Sequence, residues 1–500
     1  MDRGDESKFN LLKGRKAMSG VDLEKVGDDF LAFAWENLSP RDRAKVMAGS
    51  PKTAWIFGAG ASNHYDLNVR GVPVPLASGF FNAFHELPTS EGFHAHVGPF
   101  ISFLQHYRDV KILEVSQWTE NVEDFMTSVE SELIELRKKI KKPDLGKKDL
   151  LKSVSLCAVF NNMIFIFANV VNETQNGPSF SLYHYLLKLC GSNDTFITFN
   201  WDTLLDRALA DTGGWSPNDG YGLSFSSVLD SIWKQEAQCS QTFPTKWKLL
   251  KLHGSTNWLV PYTGMFFKTL DYQSFVRESQ KVFLYWQSTL PYETHNSRWR
   301  GGYAPTCYCY YPPNLPADAF SRKQLSPGKG RVWIQGNPIG IFSPFREPSG
   351  EGVPSSPLLI TPIRQKRYDM YQSTVESLWQ QSADAMKTVE RIVIIGYSFP
   401  PTDTRPLELL NNTLSSREGE ISVEIVAPSA EDIISRIANG YLSKAKSVTA
   451  HSAKFENYLQ TLWKDAPELM KRAAAKHGEV KTWLERIYMI GQMALKTYRK

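Results

Sequence analysis

The chain is poor in cysteine, and the arrangement of its five cysteines argues against two classes of protein. An odd number at irregular spacing is typical of a reducing compartment and not of a disulfide-linked secreted domain. The only close pair is the CxC of Cys307-Tyr308-Cys309. A four-thiolate zinc site needs two CxxC pairs, so we expect no such site and predict no metal. The five are Cys157, Cys190, Cys239, Cys307 and Cys309.

The sequence also lacks a targeting segment and a clear membrane span. The first thirty residues are charged and contain no apolar core, so no signal peptide is visible. The longest apolar stretch, 154–171, carries Asn161, Asn162 and Asn169, which favours a buried helix over a membrane span. We therefore expect a cytoplasmic protein that does not associate with a membrane.

No large charge excess is present either. The net charge of +5 is too small to argue for direct nucleic-acid binding, although the charge is uneven. The tail from Lys464 to Lys500 contains nine Lys/Arg against four Asp/Glu. That surplus indicates either a solvated helix face or a surface on which a partner or nucleic acid docks.

The length of 500 residues exceeds what one hydrophobic core organises, so we expect a main domain with additions. Residues 1–52 predict an N-terminal helical cap, and the strand and helix patterns over 53–430 predict the main domain. Within it, 260–355 is dense in Tyr, Trp, Pro and Gly without periodicity, which predicts an irregular insertion such as a lid. The pattern over 431–500 is helical.

The segment 53–62, TAWIFGAGAS, is the motif around which the rest is organised. Its apolar half predicts a buried strand, and Gly58 and Gly60 would let the backbone turn sharply and approach a ligand closely. A helix beginning near Ser62 would direct its free N–H groups to the same place and favour a phosphate. The spacing is not the full GxGxxG fingerprint, so an ordinary strand-to-helix turn is an open alternative.

Three more predicted strands end in polar or glycine residues: Asn200-Trp201-Asp202, His253-Gly254-Ser255 and Gly396-Tyr397-Ser398. Strands that alternate with helices indicate an α/β fold with a Rossmann-like, doubly wound parallel sheet. Because such sheets bind ligands beyond the carboxyl ends of their strands, the four groups should converge on one site. Taken singly, the three segments also fit a helix cap, a structural histidine and a turn.

Together the motifs resemble the sirtuin-like NAD-consuming domains of bacterial defence proteins. The motifs occur in the same order as in that family, and the resemblance covers about 53–430. The four motifs together are specific for the family, whereas GAGAS alone is not. The matches are GAGAS at 58–62, TFNWD at 198–202, KLHGS at 251–255 and GYSFPPTD at 396–403, with weaker ones at 121–125, Thr361-Pro362, Tyr368 and Trp379.

The resemblance implies that NAD lies across the strand ends as the substrate. The glycine motif would hold the pyrophosphate and the neighbouring ribose, and the GYS segment would line the adenosine half, with its serine in place of the GTS serine of sirtuins. The cofactor-binding residues implied in this way are Gly58, Ala59, Gly60, Ser62, Gly396 and Ser398.

The resemblance also implies three catalytic residues. Asn200 and Asp202 occupy the Asn and Asp of the sirtuin TQNID motif, which order the nicotinamide ribose and the carboxamide, and His253 matches the general base. An imidazole titrates near neutral pH and can accept a proton from a ribose hydroxyl or from water. An amide both donates and accepts hydrogen bonds, which suits ribose hydroxyls. Thr402 and Asp403 belong to the pattern without an assigned role.

Departures from the protein-deacylase sirtuins favour hydrolysis of NAD by water over acyl-lysine binding. Phe199 replaces the glutamine of TQNID, the zinc module with its two CxxC pairs is absent, and Gly71-Val72-Pro73 is at best a remnant of the GIPDFR segment. We therefore expect an NAD+ glycohydrolase that depletes NAD in anti-phage defence. A non-catalytic NAD or ADP-ribose binding scaffold for a partner ATPase or nuclease is the alternative, and a deacylase is a weaker one.

Such an enzyme must be silent until it is triggered. We expect a homo-oligomer or a partner protein to control it, such as an ATPase of the HerA type, a short Argonaute or a phage protein. The chain after 430 is too short for a second Rossmann-like sensor domain, which favours a partner or self-assembly over a built-in signal pocket.

Overall fold

The structure is a computed structural model. The residues that it describes are 47, 51–68, 71–87, 94–140, 146–175, 177–217, 219–225, 227–230, 247–265, 275–277, 282–286, 332–334, 353–363, 366, 368, 372–401, 403–417, 420–464, 471 and 481. The chain divides into two compact units, Pro51–Leu459 and the two termini Met1–Ser50 with Gln460–Lys500. The predicted helical cap lies almost wholly outside the described residues, as does most of the region after 464, so the predicted domain boundaries stay a prediction.

Strands are spread over the whole of the larger unit. In chain order they are β1 (Thr53–Phe57), β2 (Thr195–Thr198), β3 (Ser227–Asp230), β4 (Lys248–Lys251), β5 (Gly254–Met265), β6 (Phe275–Arg277), β7 (Phe283–Trp286), β8 (Val332–Ile334), β9 (Val353–Leu359), β10 (Arg391–Ile395), β11 (Ser422–Val426) and β12 (Ser447–His451).

Six of these strands form one parallel sheet in the order β12-β11-β10-β1-β2-β4. The first strand is internal, and the chain builds outwards from it, first through β2 and β4 on one side and then through β10, β11 and β12 on the other. That is the doubly wound order of a Rossmann-like sheet, so the predicted fold class is confirmed. All five residues of β1 are buried, as expected for a strand whose sheet is covered on both faces.

Among the described residues, a helix follows five of the six strands of the main sheet. In chain order the helices are α1 (Ala59–Ser62), α2 (Phe80–Glu86), α3 (His94–Tyr107), α4 (Val122–Ile140), α5 (Lys147–Thr174), α6 (Ser181–Lys188), α7 (Leu204–Asp211), α8 (Gln372–Met386), α9 (Arg405–Ser416), α10 (Ala430–Ile437) and α11 (Phe455–Lys464). The composition and spacing of the sequence predict helices over 122–140, 182–189 and 203–210, and α4, α6 and α7 lie at or within one residue of these bounds.

Helices α2 to α5 lie between β1 and β2 in the sequence and share one aromatic-rich core. Phe81 is central to it, with Phe100, Trp118 and Phe125 at ring-centroid distances of 5.6, 4.7 and 5.6 Å. Among the described helices, α5 alone is long and apolar enough to cross a membrane, but 83% of its apolar window is buried inside the protein. The predicted buried helix over 154–171 is therefore found as part of a core helix.

The segment predicted to be irregular contains part of a second sheet. Its strands run in the order β3-β7-β5-β9-β8, with β6 also paired to β5. The long strand β5 pairs antiparallel with β9, so that Gly254 is opposite Leu359. The prediction of an irregular insertion is wrong for these strands, and the rest of 260–355 lies outside the described residues.

A second difference concerns the segment after Ser429, which the sequence predicts to be wholly helical. It contains α10 and α11, but β12 lies between them and pairs parallel with β11. None of the five residues of β12 is fully buried, as expected for a strand at the edge of the sheet. An edge strand of mixed polarity has no apolar run to reveal it.

Candidate active site

Four strand ends meet at one edge of the main sheet. The neighbouring strands β10, β1, β2 and β4 are all parallel, and their backbone ladder continues past the strand ends. The N–H groups of Gly58, Phe199 and Leu252 donate to carbonyls of the neighbouring strands at 2.9 Å each. The glycine motif and the segments at Asn200, His253 and Gly396 therefore leave the sheet side by side, and the predicted convergence is found.

The glycines of two of these segments pack backbone against backbone. The N–H of Gly60 donates to the carbonyl of Gly396 at 2.9 Å. A Cβ on Gly58 would lie 2.6 Å from that carbonyl, and one on Gly396, where φ is +66°, would lie 2.2 Å from the nitrogen of Ala61. Close contact between the two turns thus explains these glycines without a ligand.

The helix after the glycine turn differs from the predicted one. It is the single turn α1, which ends before Asn63 instead of beginning near Ser62. Ala59 is exposed and Ser62 is fully buried. The long helix N-terminus that would favour a phosphate is therefore not found, and the predicted pyrophosphate role of this turn stays a prediction.

Asn200 connects the glycine turn to the end of β2. Its Nδ2 donates to the carbonyl of Gly58 at 3.0 Å and to Oγ of Ser62 at 3.1 Å. The same Oγ lies 3.1 Å from the hydroxyl of Tyr183. Asn200 is 7% exposed, and its Oδ1 is buried and accepts no hydrogen bond from the described residues. A buried acceptor without a donor is costly, so this atom is suited to receive a ligand hydroxyl or a water.

Asp202 has a local structural role. Its Oδ1 accepts a hydrogen bond at 3.0 Å from the N–H of Leu204, the first residue of α7. Burial raises the pKa of this carboxyl group, against the lowering effect of the Lys251 charge. Asp202 lies beside Asn200 as predicted, and its catalytic role stays a prediction.

A buried ion pair lies beneath Asp202. The Nζ of Lys251 is 3.1 Å from each carboxylate oxygen of Asp206 and also donates to the carbonyl of Asp202. The side chains of Lys251 and Asp206 are 0% and 1% exposed. The hydroxyl of Tyr221 donates to Asp206 as well. This pair joins β4 to α7 and so fixes the two strand ends that carry Asn200 and His253.

His253 follows β4 and is held at a corner. Gly254, with φ +81°, turns the chain into β5, and a Cβ there would lie 2.0 Å from the carbonyl of Leu358. The carbonyl of His253 accepts a hydrogen bond from the N–H of Ile360 at 2.9 Å. His253 is 7% exposed. Its backbone is thus fixed on one side by the main sheet and on the other by β9.

The imidazole of His253 contacts Asp403. Its Nε2 lies 3.1 Å from Oδ2 of Asp403 and 3.2 Å from the hydroxyl of Tyr368. Two tyrosine hydroxyls donate to the same carboxylate, Tyr368 at 2.8 Å and Tyr397 at 2.9 Å. The ammonium of Lys366 lies 3.7 Å from Oδ2 of Asp403. Asp403 is therefore a buried carboxylate whose oxygens are surrounded by donors.

The charges of this cluster follow from its partners. Burial alone would raise the pKa of Asp403, but His253, Lys366 and Tyr368 outweigh it and hold that pKa well below its usual range. Burial lowers the pKa of His253, and the nearby Asp403 carboxylate only partly offsets this effect. At neutral pH the pair is thus an ionised carboxylate beside a neutral imidazole, which is the form that can accept a proton.

Aromatic rings form one wall of the site. Phe199 stacks on Tyr397 with ring centroids 4.3 Å apart, and its centroid is 5.0 Å from that of His253. Trp379 is edge-on to Tyr368, and the guanidinium of Arg405 lies over both rings at 4.5 and 4.7 Å. Phe199, where sirtuins have glutamine, thus packs against the histidine instead of presenting an amide.

Most of the predicted site residues are brought together, and one is at the rim. Ser398 is exposed, and its carbonyl accepts a hydrogen bond from Arg436. The sequence gives Lys366 no place at the site and Asp403 no role, although Asp403 lies in the GYSFPPTD segment and Tyr397 in the Gly396–Ser398 segment that is predicted to converge there. The only signal for Asp403 was that segment, because its contact with His253 joins positions 150 residues apart.

No group of three His, Cys, Asp or Glu side chains that could hold a metal ion occurs within the described ranges. Cys157 and Cys190 are buried, and Sγ of Cys190 donates to the carbonyl of Leu186 at 3.3 Å. The other three cysteines lie outside the described residues.

Comparison with known proteins adds a remote likeness. No family model matches the chain, and no curated protein matches it. A solved Sir2 homologue in complex with NAD is 11% identical, with 86% of this chain and 95% of that chain covered at a TM-score of 0.31. A Sir2 homologue variant in complex with ADP-ribose is 9% identical, with 87% and 98% covered at a TM-score of 0.30. Likenesses this remote transfer no activity, so the chemistry has to be argued from the site.

Proposed function

We propose that this protein is an NAD+ glycohydrolase, which cleaves NAD+ with water to nicotinamide and ADP-ribose. The observation that carries the proposal is the juxtaposition of Asn200, with its unpaired buried Oδ1, and the neutral imidazole of His253 at adjacent strand ends. An amide that positions a ribose and a base that accepts a proton are the two groups that this hydrolysis needs.

The chemistry requires no redox change. Water bonds to C1′ of the nicotinamide ribose, the glycosidic C–N bond breaks, and its electron pair passes to the pyridinium nitrogen, which gives neutral nicotinamide. The proton of the attacking water goes to His253. Burial around His253 and the aromatic wall of Phe199 and Tyr397 support the proposal, because a site that excludes bulk water strengthens the electrostatic interactions of protein groups with the cationic ribose.

The biological role that we propose is depletion of NAD in the cytoplasm during anti-phage defence. A homo-oligomer or a partner protein, such as a HerA-type ATPase, would release the activity when infection begins. The support is the likeness of the four strand-end motifs to sirtuin-like defence domains, together with the absence of CxxC pairs from the sequence.

The test is nicotinamide release from NAD+ by the purified full-length chain, alone and with the product of its neighbouring gene. We expect release that falls by about 10² to 10⁴-fold in His253→Ala, the range that a general base supplies. Binding of ADP-ribose by calorimetry without turnover would support the scaffold alternative, and release of acyl groups from an acetyl-lysine peptide would support a deacylase. An unchanged rate in His253→Ala would refute the proposal.

A further inference from the structure

We propose that Asp403 is a positioning residue, which holds the imidazole of His253 with its proton on Nε2 and so makes Nδ1 the atom that accepts a proton. This inference rests on the proposed hydrolysis of NAD+. It gives a role to a residue to which the sequence assigned none.

The tautomer follows from the contacts. An ionised carboxylate can only accept hydrogen bonds, so the contact of 3.1 Å between Oδ2 of Asp403 and Nε2 of His253 requires the proton to be on Nε2. A neutral imidazole carries one proton, and Nδ1 is then the free acceptor. Nδ1 has no hydrogen-bond partner among the described residues, which leaves it available to a water.

The carboxylate is arranged to stay charged. The hydroxyls of Tyr368 and Tyr397 donate to its two oxygens, and the ammonium of Lys366 is 3.7 Å away. Asp403 is 1% exposed. The two tyrosines and Lys366 already satisfy the oxygens of Asp403. The further contact with Nε2 of His253 is therefore not needed to hold the loop in place.

Few other charged groups face the imidazole. Lys366 contacts both Asp403 and Glu123 of α4, at 3.7 and 3.6 Å, so its charge is shared between two carboxylates. The remaining neighbours are the hydroxyl of Tyr368 and the ring of Phe199. Asp403 is thus the one anion in direct contact with His253 within the described part of the chain.

In the reaction, the proton of the attacking water passes to Nδ1 while the water oxygen bonds to C1′ of the ribose. The resulting imidazolium keeps its Nε2 proton, which Asp403 continues to accept as a hydrogen bond without taking it. Asp403 would therefore act through orientation and through stabilisation of the imidazolium, as a carboxylate does behind a histidine base in general.

The first readout needs no NAD. Nitrogen-15 NMR of histidine-labelled protein reports the tautomer of each imidazole, and His253→Asn assigns the signal. We expect wild-type His253 with a protonated Nε2 and an unprotonated Nδ1. In Asp403→Asn this preference should be lost, and the pKa of His253 should fall, because the anion that raises it is gone.

The second readout is the pH profile of nicotinamide release. The base must be neutral, so the rate rises as pH passes the pKa of His253. We expect Asp403→Asn to lower the plateau about 10²-fold and to move the midpoint to lower pH. Tyr397→Phe keeps the ring that stacks on Phe199 and removes the hydroxyl that shares Oδ2 with Nε2. It should move the midpoint to higher pH, which tests the proposal even if Asp403→Asn does not fold.

The matched control is Asp384→Asn, which removes an exposed carboxylate of α8 that pairs with Lys387. It should change neither the tautomer nor the profile. If wild-type protein releases nicotinamide but Asp403→Asn and Tyr397→Phe leave tautomer and midpoint unchanged, the positioning role is wrong and the hydrolase stands. If the tautomer responds to Asp403 but wild type never cleaves NAD+, the coupling of the two residues stands and the proposed function is wrong.

Discussion

The N–H of Gly60 donates to the carbonyl of Gly396 at 2.9 Å, and this bond ties the first strand end of the site to the fourth. The two turns are separated by more than three hundred residues in the sequence. Because their backbones touch, neither turn has room for a side chain at this place. The site is thus braced by main-chain contacts before any ligand binds.

A methyl group at Gly396 should therefore be costly. Its φ of +66° strains an L residue, and the new Cβ would lie 2.2 Å from the nitrogen of Ala61. We expect Gly396→Ala to lower the free energy of unfolding by about 2–4 kcal/mol, measured with urea. The control is Gly146→Ala, where φ is −67° and no atom lies within 4 Å of the new Cβ. It should cost less than about 1 kcal/mol, and equal losses in both variants would contradict the packing argument.

The buried pair of Lys251 and Asp206 gives a second prediction. Lys251→Met leaves the Asp206 carboxylate buried without its cation, so we expect a loss of about 3–5 kcal/mol in the free energy of unfolding. Adding Asp206→Asn should recover more than half of that loss. Lys387→Met removes the cation from an exposed ion pair with Asp384 and should lower the free energy of unfolding by less than about 0.5 kcal/mol. A double variant as unstable as Lys251→Met alone would show that the charge is not the cause.

The sheet also contains an acid-sensitive cluster. The carboxylate of Glu424 on β11 accepts hydrogen bonds from Arg391 at 2.5 and 2.9 Å and from Tyr458 at 2.9 Å, and His451 lies 3.1 Å away. Burial would raise the pKa of Glu424, but these partners, Arg391 foremost, outweigh it and lower the pKa.

Because the folded pKa of Glu424 is below the unfolded value of 4.5, its stabilisation is present above that pH and is lost as pH falls further. Glu424→Gln should cost about 2–3 kcal/mol at pH 7, and its difference from wild type should shrink below about pH 4.5. Urea unfolding of both proteins from pH 7 to pH 3 measures this. A difference that is constant over the range would exclude the carboxylate as its source.

The open acceptor of Asn200 predicts an effect on ligand binding. Asn200→Ala removes both the contact with Gly58 and the unpaired Oδ1, so we expect ADP-ribose to bind about tenfold more weakly by calorimetry. Asn68→Ala is the control, because Nδ2 of Asn68 donates to the carbonyl of Val72 at 2.8 Å, also buried. It should lower stability and leave the affinity for ADP-ribose unchanged. Equal weakening in both variants would point to a general loss of structure.

Much of the main sheet could be predicted from the sequence because its central strands are short, continuous apolar runs that end in glycine or polar residues. The run at 392–395 and the one before Gly58 are clear examples, since a covered parallel strand needs apolar residues on both faces. Convergence of Asn200 and His253 then followed from the geometry of parallel strands alone.

The rest could not be predicted, for reasons that are also physical. β5 contains Pro261 and the start of β9 contains Pro354, which local rules take as signs of a loop, and only the pairing of the two strands makes them a sheet. The sequence does predict a strand over 357–361, which overlaps the end of β9. The partnership of Asp403 with His253 depends on distant chain segments meeting, and no local pattern encodes it. The sequence predicts a helix beginning near Ser62, but a glycine turn is also compatible with the single helical turn that follows Gly58.

His253 is also the last residue before the second sheet. β4 ends at Lys251 and β5 begins at Gly254, so two residues join the parallel sheet to the second, mixed sheet. A rotation of one sheet relative to the other would change the backbone torsions of Leu252 and His253, and the direction of the imidazole would change with them.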